Sequence, residues 1–365
     1  MTSDQTEKFL SALAESISIS NTMIDRAKES YEAVGEWLGD GIDFPVTIMP
    51  QGSFNLGTVI KPLSEKDEYD IDLVCLMEPD CALSNYQIKH IVGDRLKENN
   101  LYLSKLSKEG KRCWTLEYAD FHMDILPCIP ACEVFSIENN STAIKLTHKN
   151  EQGEYESHYS DPMQYQKWFE ARMTNLLTDA KSVMAKAASV EIKEVPTFRV
   201  KTPLQKVVQL LKRHRDKMFE NQDDAPISII ITTLAAQAYQ GERSLKEALT
   251  NIVQRFLDGV TKNAKTGCYQ ILNPVLPEEN FADKWKTSFK KIDNFFKWYL
   301  QLSKDVQIIC GENQLFDEDK ISRAFGQNPT SYAIRAISSN NKNNIHSTRT
   351  TQITTPERPY GDKIQ

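Results

Sequence analysis

The sequence predicts an α+β protein, and three features carry that prediction. Short extended runs lie between residues 45 and 126, a stripe of apolar residues at helical spacing precedes them, and from Thr202 onward the pattern is helical.

In residues 22–38 the apolar positions Ile24, Ala27, Tyr31, Val34, Trp37 and Leu38 step by three or four, the period of a helix with one buried stripe. Thr22 followed by Asp25 can cap its start. After Gly39 and Gly41 the pattern shifts to extended runs at 45–49, 69–77, 114–118 and 121–126. Two short runs in 145–159 flank the polar turn Asn150-Glu151-Gln152-Gly153, as in a hairpin. Asp161-Pro162 opens a helical stretch through Trp168 and Leu177, with 185–194 as its exposed end or a linker. Thr202-Pro203 pairs a capping residue with proline at the first helical position, and Leu204, Val207, Val208 and Leu211 form the buried stripe behind it. Further helices are expected at 228–239, 245–256 and 281–302. Residues 338–365 are rich in Ser, Thr and Asn and nearly free of large apolar side chains, so they are expected to form a flexible tail. The organisation expected is a first part over 1–200, a helical second part over 201–337, and the tail.

At 40% hydrophobic and 26% charged, the 365 residues read as globular. The formal net charge of −6 denies the molecule the broad positive field that sequence-independent nucleic-acid binding needs. The start, Met1-Thr2-Ser3-Asp4, has no basic segment followed by an apolar one, so no secretory signal is expected and a cytoplasmic location is. The longest uncharged stretch of apolar character, 225–240, falls short of the roughly 20 residues of a membrane-spanning helix. Seven cysteines at scattered positions suit reduced thiols. Cys128 and Cys132 are closely spaced but lack two further ligands nearby for zinc.

The chemistry is concentrated in Gln51-Gly52-Ser53-Phe54 with Thr58, in Asp70-Ile71-Asp72, and in Asp124. Side chains alternate along a strand, so Asp70 and Asp72 share a face. Two carboxylates there repel by about 4 kcal/mol at 4 Å in an effective dielectric near 20, which calls for a cation. Magnesium bound by oxygen ligands meets that need, and two ions about 3.5–4 Å apart can clamp the attacking and leaving oxygens of a phosphoryl transfer. Asp124, on another short apolar strand, is the third carboxylate expected. Gly52 and Ser53 follow a strand at a turn where backbone N–H groups and the serine hydroxyl can receive phosphate. Each piece alone is commonplace; their joint order points to catalysis. His122 receives no role.

Gly52-Ser53, Asp70-x-Asp72 and Asp124 resemble the nucleotidyltransferase superfamily of DNA polymerase beta. Gln51-Gly52-Ser53-Phe54 with Thr58, and the downstream Asn273-Pro274-Val275-Leu276-Pro277-Glu278-Glu279-Asn280, narrow the resemblance to the bacterial cGAS/DncV-like nucleotidyltransferases (CD-NTases) of anti-phage (CBASS) signalling. This resemblance implies a bilobed fold: a mixed-sheet catalytic lobe braced by a long N-terminal helix, and a helical second lobe closing over the nucleotides. It implies synthesis of a cyclic di- or trinucleotide from nucleoside triphosphates, ATP among them, with two Mg2+ ions and release of pyrophosphate. By the same resemblance Lys212 contacts the donor triphosphate and Ser228 lies beside those phosphates. On the residues alone Lys212, set among Arg213, His214 and Arg215, reads as a solvated helix position. The animal enzymes place a base-stacking aromatic after that serine, and this chain has Ile229. A monomer is expected, with no DNA requirement and with regulatory or effector proteins of the same operon as partners. The competing functions are a nucleotidyltransferase that extends RNA or modifies a protein, against which the acidic balance argues for RNA, and an inactive binding module, against which the three retained carboxylates argue.

Overall fold

The computed structural model describes residues 1–64, 68–131, 142–189, 191, 196–311 and 316–345. Two helices open the chain, α1 (Ser3–Ile17) and α2 (Asn21–Gly39). Thr2 and Gln5 form a reciprocal capping box on α1, and the Ser20 side chain accepts from the Met23 amide to cap α2. The sheet region follows as β1 (Val46–Gln51), α3 (Gly52–Asn55), β2 (Tyr69–Met77), α4 (Asn85–Lys97), α5 (Asn100–Lys105), β3 (Trp114–Glu117), β4 (Phe121–Pro130), β5 (Ile144–Lys149) and β6 (Tyr155–Ser160). Next come α6 (Pro162–Ala171), α7 (Thr174–Ala188), α8 (Pro203–Met218), α9 (Ser228–Ala238) and α10 (Leu245–Arg255). A two-stranded ribbon, β7 (Thr261–Lys262) with β8 (Tyr269–Gln270), precedes α11 (Phe289–Cys310), α12 (Glu318–Phe325) and α13 (Gln327–Ile345).

The main sheet runs β1-β2-β4-β5-β6, with β3 also on β4. Among the described residues only β2 and β4 pair in parallel, so the sheet is mixed. Its alternation is that of a half-covered sheet: Tyr69, Ile71 and Leu73 on β2 and Phe121, Met123 and Ile125 on β4 are buried. They pack with Ile24, Val34 and Leu38 of α2 and Ile88, Val92 and Leu96 of α4 in one core. A second core is helical, built from α8–α12 with Ala333 of α13. Phe9, Leu10, Leu13 and Ile17 of α1 and Tyr165 and Phe169 of α6 also join this second core. The two cores therefore mix chain order, because α1 and α6 bury their stripes against helices that lie far away in sequence. The chain has the bilobed polymerase-beta-like fold, with α2 bracing the sheet.

Several expectations on elements need correction. The helical stretch after Asp161-Pro162 breaks at Arg172-Met173, and its second half carries Ala185 into the core before ending, as expected, in exposed residues at 186–189. The expected helix 281–302 begins later: Asp283–Lys286 is a single 3-10 turn, and α11 starts at Phe289 and runs to Cys310. The Asn280 side chain explains part of this, since its oxygen accepts from the amides of Ile271 and Ala282 and holds the chain as a loop. Residues 338–345, expected in the flexible tail, continue α13; 346–365 lie outside the described residues, as does Cys132. Among the described residues no helix is long and apolar enough to cross a membrane.

Candidate active site

The site is built on two parallel strands. Register pairs Asp72 on β2 with Asp124 on β4, and Asp70 with His122. Because Ile71, Leu73, Met123 and Ile125 take the buried face, all three aspartates are presented on the opposite one. Neighbouring strands lie about 4.8 Å apart, so Asp72 and Asp124 stand side by side. On the antiparallel β3, Thr115 pairs with Asp124 and its hydroxyl donates to Asp124 Oδ1 at 2.5 Å, which pins one carboxylate oxygen. His122 contacts Glu68 and comes within 3.9 Å of Asp70.

The turn predicted after β1 is the single helical turn α3. Gly52 has φ +60, and a Cβ built there would stand 2.3 Å from Asp72 Oδ2, so only glycine lets the turn lie against this carboxylate. Gln51 pairs with Asp72 across β1 and β2. Ser53 follows, and its carbonyl accepts from the Thr58 amide at 2.9 Å, closing the turn on the fully buried Thr58.

Negative charge at this face is not compensated by the protein alone. Burial, then the charges of Asp124 and Asp70, push the Asp72 carboxyl up to about 7. Asp70, open to the cleft, is raised in the same direction by loss of water and then by Asp124. Oxygen ligands of this kind fit magnesium. Among the described residues no three acidic, His or Cys side chains are already gathered as a closed ligand set. The carboxylates line a face that an ion would draw together.

A cleft of about 900 Å3 opens over this face, at the upper end of the range for small-molecule sites. Gln51, Gly52, Ser53, Asp70, Asp72 and Asp124 line its sheet side, and Lys212 and Ser228 its helical side. All eight residues singled out in the sequence thus meet in one cavity. Lys212 is not the solvated side chain its Lys-Arg-His-Arg setting suggests. It is 3% exposed, its Nζ donates to the Thr58 carbonyl at 3.1 Å, and burial followed by the charge of Arg215 pushes its pKa down to about 7. Ser228 opens α9, and Arg215 Nη2 donates to its Oγ at 3.1 Å. The serine hydroxyl is thereby used as acceptor and keeps its own proton for a group in the cleft.

Sequence reasoning missed other wall residues. Arg112 reaches the cleft from the loop before β3, and Arg215 holds Ser228. In the Asn273–Asn280 loop, Glu279 Oε2 accepts from Asn273 Nδ2 at 2.7 Å and from Ser160 Oγ at 3.0 Å, tying that loop to β6. Burial raises the Glu279 carboxyl above its ordinary value. Ile229 lines the cleft where an aromatic was absent from the sequence, and Tyr159, Phe281 and Trp285 supply aromatic surface elsewhere on its walls.

Comparison with known proteins agrees with this geometry. Residues 46–128, which run from β1 into β4, match the family model of the cyclic GMP-AMP synthase DncV-like nucleotidyltransferase domain. A c-di-GMP synthase of Roseivirga ehrenbergii is 32% identical over 91% of this chain and 87% of its own length. The cyclic dinucleotide synthase CdnG of Bradyrhizobium diazoefficiens is 24% identical over 92% of this chain and 83% of its own. The solved structure of that CD-NTase in complex with GTP superposes with a TM-score of 0.71, at 20% identity over 91% of this chain and 99% of that one. Escherichia coli DncV in its 3'-deoxy GTP bound form gives a TM-score of 0.56 at 15% identity, over 87% and 94% of the two chains. With its carboxylate strands, its Gly-Ser turn and this degree of identity to a c-di-GMP synthase, the chain belongs to the CD-NTase family of DncV-like nucleotidyltransferases.

Proposed function

We propose that this nucleotidyltransferase is a cyclic dinucleotide synthase that joins purine nucleoside triphosphates, GTP among them, into a messenger for anti-phage (CBASS) signalling. The observation that carries the reading is the convergence of Asp70, Asp72 and Asp124 beneath the Gly52-Ser53 turn, in a cleft whose far wall holds Lys212 and Ser228. The use of GTP is supported by the c-di-GMP synthase activity of one relative named above and the GTP bound to the other.

Asp70, Asp72 and Asp124 would hold two Mg2+ ions, which supply charge neutralisation at the triphosphate and make the acceptor hydroxyl more acidic. The remaining work falls to the chain. The amides and hydroxyl of the Gly52-Ser53 turn receive phosphate oxygens, and Lys212 and Ser228 bind them from the helical side. Thr115 fixes the Asp124 carboxylate so that one oxygen faces the reacting hydroxyl. In each of two transfers an acceptor hydroxyl attacks the α-phosphorus, the bond to pyrophosphate breaks, and the second transfer closes the ring.

Mass spectrometry of products from all four ribonucleoside triphosphates in Mg2+ tests this. A phosphatase-resistant cyclic dinucleotide containing guanosine is expected. Linear extension of RNA, a nucleotide left on a protein, or no joined product would contradict it.

A further inference from the structure

Among the described residues the segment leaving the α3 turn, residues 56–62, makes one isolated bridge, Ser18 with Ile60, and so must find donors for its carbonyls elsewhere. It finds them along α8 and at Lys201, two residues before the helix begins. Lys201 Nζ donates to the Gly57 carbonyl at 2.7 Å, Gln205 Nε2 to Leu56 at 2.9 Å, Gln209 Nε2 to Val59 at 2.6 Å and Lys212 Nζ to Thr58 at 3.1 Å. Arg213 Nη2 reaches the Lys61 and Pro62 carbonyls. Gln205, Gln209 and Arg213 are four residues apart, one row on the helix.

The two glutamines show what the row is for. Gln205 closes the capping box of α8 with its amide oxygen, which accepts from the Thr202 amide at 2.8 Å. A glutamate would cap as well, but could not donate to Leu56 and to Thr197, at 2.9 and 3.2 Å. Gln209 accepts from Ser18 Oγ at 3.3 Å while donating to Val59, and both glutamines are fully buried. The segment they grip is tied to the phosphate turn, since both the amide and hydroxyl of Thr58 donate to the Ser53 carbonyl.

We propose that Gln205 and Gln209 are positioning residues for nucleotidyl transfer. They fix the Gly52–Asn55 turn relative to Lys212 on the same helix, so that groups from both lobes close on one triphosphate; this rests on the function proposed above. Lys212, three residues after Gln209, lies beside this row, and the amides set the span between it and the turn.

The test measures binding of a non-hydrolysable GTP analogue with Mg2+, together with KM and kcat, for Gln205→Glu and Gln209→Met. Each variant should weaken the Kd about tenfold, the share of its lost buried hydrogen bonds that reaches the phosphate turn, and raise KM in step. A role in stability alone would lower Tm and the active fraction while leaving Kd and KM of the folded protein unchanged, and that result overturns the inference. Should a variant not fold, hydrogen exchange on the wild type decides: analogue binding must slow amides 205–213 together with 52–58, and protection of the turn alone overturns it. A wild type that binds the analogue but joins no nucleotides removes the proposed function while these readouts still judge the glutamines. A wild type that does not bind it removes both.

Discussion

Replacing Asp72 with Asn should make the metal-free protein more stable, and the amount follows from its environment. Burial and the two neighbouring aspartates raise its carboxyl from 3.8 to about 7. In the unfolded chain the same group ionises near 3.9. From pH 4 to pH 7 the unfolded state has therefore lost a proton that the native state retains, so stability falls as pH rises, and above pH 7 the full penalty applies. About three pKa units at 1.36 kcal/mol each is roughly 4 kcal/mol. Asparagine carries no such penalty. For a chain of this length unfolding as one unit, entropy of about 2.1 cal/mol/K per residue gives about 0.8 kcal/mol per degree, hence a Tm about 5 °C higher at pH 8. Scanning calorimetry in EDTA at pH 4.5, 6 and 8 should show the gap between variant and wild type open with pH. Mg2+ should raise the wild-type Tm and leave the variant's nearly unchanged, and the variant should make no product. A variant no more stable than wild type in EDTA at pH 8, or a gap that is widest at pH 4.5, would refute the reasoning.

Gly52→Ala should reduce product formation at least about a hundredfold with the fold retained, because the new methyl must displace the Asp72 carboxylate or abandon φ +60; steady-state rates near wild type would show that the close approach is dispensable. Ser53→Ala should give a partial defect, about tenfold, since the turn's amides remain while one hydroxyl donor is lost; a loss as complete as that of the aspartate variants would assign Ser53 another role. Double-stranded DNA should not stimulate nuclease-treated enzyme even at low salt, given a net charge of −6; a large stimulation that fades as salt rises would reverse this.

The aspartates were legible because strand alternation is a local rule. Once 69–77 and 121–126 read as strands, their apolar residues had one face and Asp70, Asp72 and Asp124 the other, and the register of β2 with β4 followed suit. The capping signal at Thr202-Pro203 was equally local and placed α8 correctly. What the sequence could not show is which cores the helices join. The stripe Phe9, Leu10, Leu13, Ile17 has helical spacing, yet nothing in it tells that α1 packs with α8 and α10 instead of the sheet it precedes. Lys212, Arg213 and His214 looked solvated because charge normally marks an exposed face. They are buried because remote partners reward them: the Thr58, Lys61 and Pro62 carbonyls and the Asp305 carboxylate, which lies 3.0 Å from His214 Nε2. Gln205 and Gln209 are buried for the same reason, since the Leu56 and Val59 carbonyls they donate to lie about 150 residues away.

On the function proposed above, Asp70, Asp72 and Asp124 together hold the two catalytic metal ions. Anomalous scattering from crystals grown with Mn2+ and a non-hydrolysable GTP analogue tests it most directly. Manganese peaks should lie within bonding distance of oxygens from all three aspartates, with the analogue's phosphates against the Gly52-Ser53 turn. Bound analogue with manganese ligated by other side chains, or by none of these three, would contradict the account.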